Sequence, residues 1–258
     1  MDSFVLFAAV GFAAQLVDGA LGMAYGVIST TVLLAFGVPP ATASATVHTA
    51  ELATTAASGA SHIFARNVNW KLLALLVPAG AAGGILGAYV LTSFDGAVMK
   101  PFITAYLAAM GVVILWRGIL NRSHKAPSQK LIPPLGLVAG FADAAGGGGW
   151  GPIVTSTLMA SGGEPRKVIG TVNTSEFVVT AAISASFFIA LATGHWHDTE
   201  GLTNHVVQIA GLIVGGLSAA PIAGWAVARV KAQPLCVTVG VLVLAISAYQ
   251  TARLMQWV

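Results

Sequence analysis

The feature that most constrains this chain is an internal repeat of its polar residues. The segment Asp18 to Glu51 recurs without a gap as Asp143 to Glu176, at a constant offset of 125 residues. The matched pairs are Asp18 and Asp143, Gly22 and Gly147, Tyr25 and Trp150, Gly26 and Gly151, Thr30 and Thr155, Pro40 and Pro165, Thr46 and Thr171, His48 and Asn173, Thr49 and Thr174, and Glu51 and Glu176. Glycines, carboxyl groups and hydroxyl groups coincide, whereas many apolar residues differ. The chain therefore contains one unit used twice, and the polar groups are what its copies share.

Composition places this repeated unit in a membrane. Of the 258 residues, 56% are hydrophobic and 8% are charged, whereas soluble domains average about 25% charged residues. Apolar runs of about 20 residues, the length that spans a bilayer, follow one another with short gaps. The net charge of +3 is small, and Lys and Arg lie at span ends rather than in a nucleic-acid-binding patch. We expect the lipid bilayer as a partner and no nucleic acid.

The order of the apolar runs predicts an all-α polytopic membrane protein with two inverted structural repeats and broken or re-entrant helices. The first repeat occupies residues 1–120, a cytoplasmic linker residues 121–131, and the second repeat residues 132–258. The predicted helical segments are 3–36 (broken), 41–64, 72–93 and 101–116, then 132–160 (broken), 168–193, 206–228 and 235–252, with a turn at 95–100.

The distribution of Lys and Arg is the reason to expect inverted repeats. If each broken segment crossed the membrane once, Arg166, Lys167, Arg229 and Lys231 would lie outside the cell, against the positive-inside rule. If each broken segment enters and leaves on one side, as a hairpin of two half-helices, these residues lie inside and loop 194–204 lies outside. Each repeat then has an odd number of spans, which is a plan typical of secondary transporters.

The glycine-rich breaks predict a site for a small anion. Irregular backbone persists in a membrane only beside a cavity or within protein. The half-helix that leaves each break directs free N–H groups and its positive dipole end toward the break, and glycine permits close approach. The predicted substrate-binding residues are Gly22, Tyr25, Gly26, Thr49, Gly147, Gly148, Gly149, Trp150, Gly151, Asn173 and Thr174. The alternative is that the glycines only permit tight helix packing.

Carboxyl groups within the helices are the second predicted part of the site. Glu51 and Glu176 lie deep in their helices, where a carboxylate is costly and usually functional. His48 shares a helix face with Glu51, so these three residues are predicted to couple transport to protons or to shape the pocket. Alternatively, each Glu accepts hydrogen bonds from the N–H groups of a break. Asp18 and Asp143 are predicted as helix caps rather than substrate ligands.

The remaining residues predict no enzyme activity, metal site or cofactor. The sequence contains no Walker motif and no nucleophile–base constellation, and the single cysteine, Cys236, is predicted to be a small buried hydrophobe. The residues His195, His197, Asp198 and Glu200 are predicted to lie in a solvated loop and not to bind a metal ion. The predicted membrane-interface anchors are Trp70, Trp116, Trp196 and Trp257.

These motifs resemble the TauE/SafE sulfite-exporter family over nearly the whole chain. They are Gly19-Ala20-Leu21-Gly22 with Val38-Pro39-Pro40-Ala41-Thr42-Ala43, Gly146 to Gly149 with Gly163-Glu164-Pro165-Arg166-Lys167-Val168, and Asn67-Val68-Asn69-Trp70. The first unit departs from the family's usual glycine triplet, with Met23-Ala24-Tyr25 in its place. The resemblance implies an exporter or importer of sulfite, sulfoacetate and related sulfur-containing or organic anions.

The repeat and the resemblance together predict a secondary transporter of a small anion in the cell (inner) membrane. Sulfite or an organosulfonate such as sulfoacetate is the expected substrate, alternating access the expected mechanism, and a proton gradient the candidate driving force. The alternatives are an uncoupled anion channel and a membrane enzyme or structural subunit of a larger complex. A homodimer is compatible with this interpretation.

Overall fold

The computed structural model describes residues 3–119, 129–196, 205–227 and 232–256, without the side chains of residues 20, 221–227 and 232. In the first half, α1 (Ser3–Leu21) and α2 (Tyr25–Ala35) flank a break, and α3 (Pro40–Phe64), α4 (Trp70–Ser93) and α5 (Gly96–Ile119) follow. In the second half, a 3₁₀ turn (Gln129–Leu131) leads into α6 (Ile132–Gly146), and a second break precedes a π-helical turn (Gly151–Thr155) that continues into α7 (Ser156–Ala160). The last helices are α8 (Pro165–Ala192), α9 (Val206–Val227) and α10 (Ala232–Leu254).

The helices make an all-α membrane protein, as the composition predicted. Among the described residues, four helical segments are long and apolar enough to cross a bilayer, namely Trp70–Ser93, Gly96–Ile119, Pro165–Ala192 and Gln233–Leu254. Large apolar side chains cover their outer faces, including Phe102 at 67% exposure and Ile189 at 63%. An exposed apolar surface on helices of this length is typical of contact with lipid.

Short polar caps set where the helices begin. The side chain of Asn69 accepts a hydrogen bond from the N–H of Leu72 at 3.2 Å and so caps α4. The carboxylate of Asp95 accepts from the N–H of Ala97 at 2.7 Å. Because of this cap, α5 already begins at Gly96, and the predicted turn over residues 95–100 was too long.

The first broken segment is a helical hairpin. The rings of Phe7, near the start of α1, and Phe36, just after α2, lie edge to face with their centroids 5.9 Å apart. The chain therefore returns to the side from which it started, and the break between α1 and α2 is the tip of the hairpin. This is the path that the positions of Lys and Arg predicted for the first repeat.

Each broken segment packs along a helix of the other half. A Cβ atom added at Gly215 of α9 would lie 1.9 Å from the carbonyl oxygen of Ala8 in α1. In the same way, a Cβ atom at Gly83 of α4 would lie 2.0 Å from the carbonyl oxygen of Leu137 in α6. The backbones touch at these points because the glycines have no side chain, as is common between membrane helices.

The final helices of the two halves, α5 and α10, pack against each other in opposite directions. Gly118 of α5 lies against Cys236 of α10, and Gly111 of α5 lies against Leu244. Residue numbers fall along one helix as they rise along the other, so the two helices are antiparallel. Cys236 is buried in this contact, as predicted.

The helices α3 and α8, which carry the repeated glutamates, are also antiparallel. The hydroxyl of Ser58 donates to the side-chain oxygen of Asn173 at 3.2 Å. Further along α3, just beyond its end, the N–H of Asn69 donates to the hydroxyl of Thr171 at 2.8 Å. Both pairs of counterpart helices therefore run in opposite directions.

The tryptophans predicted to anchor the protein at the membrane interface differ in their exposure. Trp70 and Trp116 are 60% and 61% exposed at helix ends, which suits a membrane interface. The prediction is wrong for Trp196, which is 3% exposed and lies against Phe187 with ring centroids 5.8 Å apart, because the chain folds back over the bundle after α8. Trp257 lies outside the described residues.

The segment after α8 also corrects part of the predicted solvated loop. The imidazole of His195 stacks on Tyr89, with centroids 4.6 Å apart, and its Nε2 lies 2.9 Å from the hydroxyl of Ser93. His195 is therefore packed against the end of α4 rather than free in solvent. The other residues of that prediction, His197, Asp198 and Glu200, lie outside the described ranges.

Candidate functional site

Both predicted breaks are present, and glycine conformations make them. Gly22 has φ +66°, Gly147 has φ +71° and Gly148 has φ +149°, values that residues with a side chain rarely adopt. Ala24, in the first break, has φ 94° and holds a strained backbone. The helices therefore end at these positions because glycines there adopt backbone conformations that do not continue a helix, and these glycines can be seen in the sequence.

The two breaks meet and exchange equivalent hydrogen bonds. The hydroxyl of Thr30 donates to the carbonyl oxygen of Gly147. Its counterpart, Thr155, donates to the carbonyl oxygen of Gly22 at 2.9 Å. These two bonds are related by the 125-residue offset, so each half of the chain supplies the donor that the other half's break needs. We call residues 22–26 and 147–151 together the crossing.

Backbone contact closes the crossing in this conformation. A Cβ atom at Gly26 would lie 2.8 Å from the Cα of Gly148, and one at Gly151 would lie 2.7 Å from the Cα of Met23. A methyl group does not fit at either point, so an oxyanion does not fit there either. The alternative that the glycines permit tight helix packing thus describes these glycines in this conformation, and a ligand would fit between the two breaks only if they moved apart.

Asp143 is a helix cap, as predicted. One of its carboxylate oxygens accepts the N–H groups of Gly149 at 2.6 Å and Trp150 at 3.0 Å. Its counterpart, Asp18, accepts the backbone N–H of Tyr25. The protein's own carboxylates therefore occupy the amides at the start of each second half-helix, and in this conformation those amides are closed to a substrate anion.

His48 joins the first repeat to the second break. Its Nε2 lies 3.3 Å from the second carboxylate oxygen of Asp143, and its Nδ1 lies 2.7 Å from the carbonyl oxygen of Ser44. A carbonyl oxygen only accepts, so Nδ1 carries a hydrogen. The contact between Nε2 and the carboxylate then needs one further proton, held by His48 or by Asp143. Both side chains are buried.

The carboxyl group of Glu51 lies beside the crossing. One oxygen would be 3.1 Å from a Cβ atom at Gly26, and the other oxygen is buried without a hydrogen-bond partner. Glu176 is buried as well and lies within electrostatic range of Glu51, Asp18 and Asp143. The carboxyl groups of Glu51 and Asp143 thus lie at the crossing, and Glu176 is buried in the same region of the protein.

Comparison with known proteins assigns the family to which this architecture belongs. The model of the family described as "Sulfite exporter TauE/SafE" matches residues 7–250, which include both breaks. The chain belongs to the TauE/SafE family. It is 45% identical over 255 residues to "Probable membrane transporter protein YtnM" of Bacillus subtilis (strain 168), a match that covers 96% of this chain and 82% of that protein. No solved structure matches the chain. The TauE/SafE protein is therefore a multi-pass membrane transporter and not an enzyme.

The two aromatic residues of the breaks anchor the half-helices of the TauE/SafE protein from within. The hydroxyl of Tyr25 donates to the carbonyl oxygen of Leu212 at 3.1 Å. The indole N–H of Trp150 donates to the carbonyl oxygen of Val172 at 3.3 Å. Both side chains are buried, so they hold the breaks against neighbouring helices. Their predicted contact with substrate stays a prediction.

The predicted hydroxyl and amide donors point elsewhere in this conformation. Thr49 and Thr174 each donate to a carbonyl four residues earlier in their own helices, at 2.7 Å. Asn173 donates to the carbonyl of Ile169 at 3.1 Å. These groups would need to turn or exchange partners before they could bind a ligand at the crossing.

Two further contacts at the second break were not predicted from the sequence. The hydroxyl of Tyr106 donates to the carbonyl oxygen of Gly148 at 2.8 Å, and its ring lies against Gly146. The hydroxyl of Ser44 donates to the carbonyl oxygen of Ala144 at 2.7 Å. Tyr106 lies outside the repeated segment, so the repeat contains no signal for it. The contact of His48 with Asp143 had one weak signal in the sequence, since His48 stands opposite the neutral Asn173 of the second unit.

Proposed function

We propose that this protein is a secondary transporter that moves a small oxyanion, sulfite or an organosulfonate such as sulfoacetate, across the cell membrane by alternating access. The observation that carries the proposal is the crossing, where one break from each repeat meets the other through reciprocal hydrogen bonds from Thr30 and Thr155. Broken helices at a repeat interface are where secondary transporters bind their substrates. The description of the family supports a sulfur oxyanion as the substrate.

An inverted arrangement of the repeats is part of the proposal. Counterpart helices related by an axis along the membrane normal would run parallel, whereas α5 and α10 are antiparallel, as are α3 and α8. The amino group of Lys167 donates to the carbonyl oxygen of Arg66 at 2.7 Å, so two basic loops from different repeats lie on the same side. The positive-inside rule makes that side cytoplasmic.

The closed crossing supports the proposal of alternating access. Backbone contact between the breaks excludes an anion, and separation of the two hairpin tips on one side would admit it from that side only. Because the breaks belong to different repeats, rocking of one repeat against the other would open the two sides in turn.

Protons are the coupling ion that the carboxyl groups favour. An ionised Glu51 beside the crossing would repel an arriving anion, and a bound proton would remove that repulsion. The imidazole of His48, 3.3 Å from a carboxylate oxygen of Asp143, supplies a second proton-binding group in the same place. A proton that travels with the anion would thus lower the electrostatic barrier to the anion's passage.

The proposal is tested by binding and by flux. Purified protein is screened by thermal shift against sulfite, sulfate, thiosulfate, sulfoacetate and simple carboxylates, because a ligand of the native state raises the melting temperature by mass action. We expect a sulfur oxyanion to give the largest shift. In proteoliposomes, an inward proton gradient should then drive accumulation of that anion. Absence of any anion-dependent shift would overturn the proposed substrate class, and flux indifferent to the proton gradient would favour an uncoupled channel.

A further inference from the structure

Arg117 places a positive charge at one end of the crossing. It lies in the last turn of α5, and its guanidinium Nη1 is 3.0 Å from the sulfur of Met23. Met23 is fully buried in the first break, where it packs against Gly151 of the second break. The guanidinium therefore reaches the contact between the two repeats.

This guanidinium has no anionic partner in the part of the chain that the structure describes. The one ion pair found there joins His48 to Asp143, and the polar contact recorded for Arg117 is to a thioether, which is a weak acceptor. The linker residues 120–128, which follow α5, contain no Asp or Glu. A partly buried guanidinium normally has a carboxylate or phosphate against its fork of N–H donors.

Apart from His48, whose imidazole faces the carboxylate of Asp143, the described groups of the crossing supply no positive charge for an anion. The amides of Gly149 and Trp150 are bound by Asp143, and Glu51 adds a further carboxyl group beside the contact. An oxyanion that approached these groups alone would meet acceptors and negative charge. Arg117 supplies what they lack, because its fork matches two oxygens of a sulfite or sulfonate group.

The corresponding position of the second repeat is neutral. When Pro101 is aligned with Pro234, Arg117 falls on Gln250. The side-chain amide of Gln250 donates to the carbonyl oxygen of Thr31 at 2.8 Å, and its oxygen accepts from Thr104 at 3.3 Å. Gln250 is thus fully engaged within the protein, whereas Arg117 is not. Among the described residues, the first repeat thus places a guanidinium against its break at Met23, whereas the aligned position of the second repeat holds a neutral side chain.

From this geometry we infer that Arg117 is the residue that recognises the oxyanion at the crossing, by two hydrogen bonds from its guanidinium to a sulfite or sulfonate group. The inference rests on the proposed function and deepens it. At this position, beside Met23, Arg117 discriminates oxyanions from other small solutes. The thioether of Met23 holds the guanidinium in place until the anion binds.

The test compares Arg117→Gln and Arg117→Lys with a matched control, Arg253→Gln. Arg253 lies in the last turn of the counterpart helix α10, is exposed and lies over the ring of Tyr249 at 6.0 Å. For each variant, the Kd for sulfite and for sulfoacetate is measured by thermal shift, with the unliganded melting temperature as the test of folding. We expect Kd to rise about tenfold or more for Arg117→Gln, as for loss of a charge-assisted hydrogen bond, to rise less for Arg117→Lys, and to be unchanged for Arg253→Gln.

The outcomes separate this inference from the proposed function. If the wild-type protein binds none of the anions, the proposed function itself fails. If the wild type binds and Arg117→Gln binds equally well, only the role of Arg117 is overturned. Should Arg117→Gln fail to fold, Arg117→Lys decides, because a lysine retains the charge without the fork, and an unchanged Kd in that variant would contradict bidentate recognition.

Discussion

The imidazole Nε2 of His48 lies 3.3 Å from a carboxylate oxygen of Asp143 and so connects α3 of the first repeat to the break of the second. The other oxygen of Asp143 holds the N–H groups that begin the next half-helix. One carboxylate therefore serves both as a helix cap and as the partner of the imidazole. Loss or gain of the proton between His48 and Asp143 would change the charge of the carboxylate that binds the backbone N–H groups of the second break.

Substitution of His48 by Asn, the residue at the counterpart position 173, removes the shared proton and keeps a polar side chain. We expect accumulation of anion driven by a proton gradient to fall on the order of tenfold, the equivalent of ~1.4 kcal/mol, while exchange at equal pH on both sides persists. The measurement is anion uptake into proteoliposomes with and without an imposed pH difference. His62→Asn, in the last turn of the same helix, is the control, and equal losses in both variants would count against a coupling role for His48.

The hydrogen bonds that hold the crossing together should contribute equally, because they are related by the repeat. Thr30→Val and Thr155→Val each remove one hydroxyl donor and leave a buried carbonyl unpaired, which costs about 1–3 kcal/mol. Thr251→Val is the control, since that hydroxyl donates within its own helix to Ser247 at 2.9 Å. Melting temperatures in detergent should fall for both variants of the crossing and little for the control. A drop in only one of the two would show that the crossing is not held symmetrically.

Replacement of a glycine by alanine can have two costs, namely the strain of a left-handed backbone and the steric clash of the added Cβ atom. Glycines inside and outside the crossing allow the two costs to be measured separately. Gly148 has φ +149°, and a Cβ atom there would lie 2.3 Å from the backbone nitrogen of Val27. Gly37 also has positive φ, at +87°, but no atom lies within 4 Å of its added Cβ. We expect Gly37→Ala to cost about 1–2 kcal/mol from the left-handed backbone and Gly148→Ala to cost about 3 kcal/mol or more. Thermal unfolding of both variants checks this order, and equal melting temperatures would contradict backbone contact at the crossing.

The proposed inverted arrangement of the repeats makes a prediction about accessibility. Phe36 and Ser161 follow the counterpart helices α2 and α7, at the 125-residue offset, with φ values of −80° and −84° that any residue tolerates. With Cys236 replaced by Ala, a cysteine at position 36 should react with a membrane-impermeant maleimide from outside intact cells. A cysteine at position 161 should react only in inside-out vesicles. Labelling of both positions from the same side would show that the repeats are not inverted.

Most helix boundaries could be predicted from the sequence, because helix breaks and caps depend on residues that are close together in the chain. Glycines with positive φ and the capping side chain of Asp143 act within a few residues, so the positions where α1 and α6 end could be predicted. The antiparallel packing of α5 and α10 depends on contacts between distant segments. The sequence predicted only that the two repeats have opposite orientations, from the rule that places Lys and Arg on the cytoplasmic side, and not that these two helices pack together.

The candidate site was harder to predict because its partners come from different helices. His48 shares a helix face with Glu51, yet its hydrogen bond is to Asp143, far away in the sequence. Tyr106 and Arg117 lie on α5, outside the repeated segment, and no local sequence pattern marks either of them as part of a site. Trp196 was misassigned for a related reason, since a position at the end of a span does not say whether the chain then turns toward lipid or back onto the bundle.

Counterflow in proteoliposomes tests the central claim most directly. Vesicles that contain the wild-type protein are loaded with a high concentration of unlabelled sulfite or sulfoacetate and diluted into a trace of the labelled anion. An alternating-access carrier exchanges one anion for another, so the account predicts a transient accumulation of label above its external concentration. A smooth approach to equal concentrations, with a rate proportional to anion concentration and no overshoot, would contradict it.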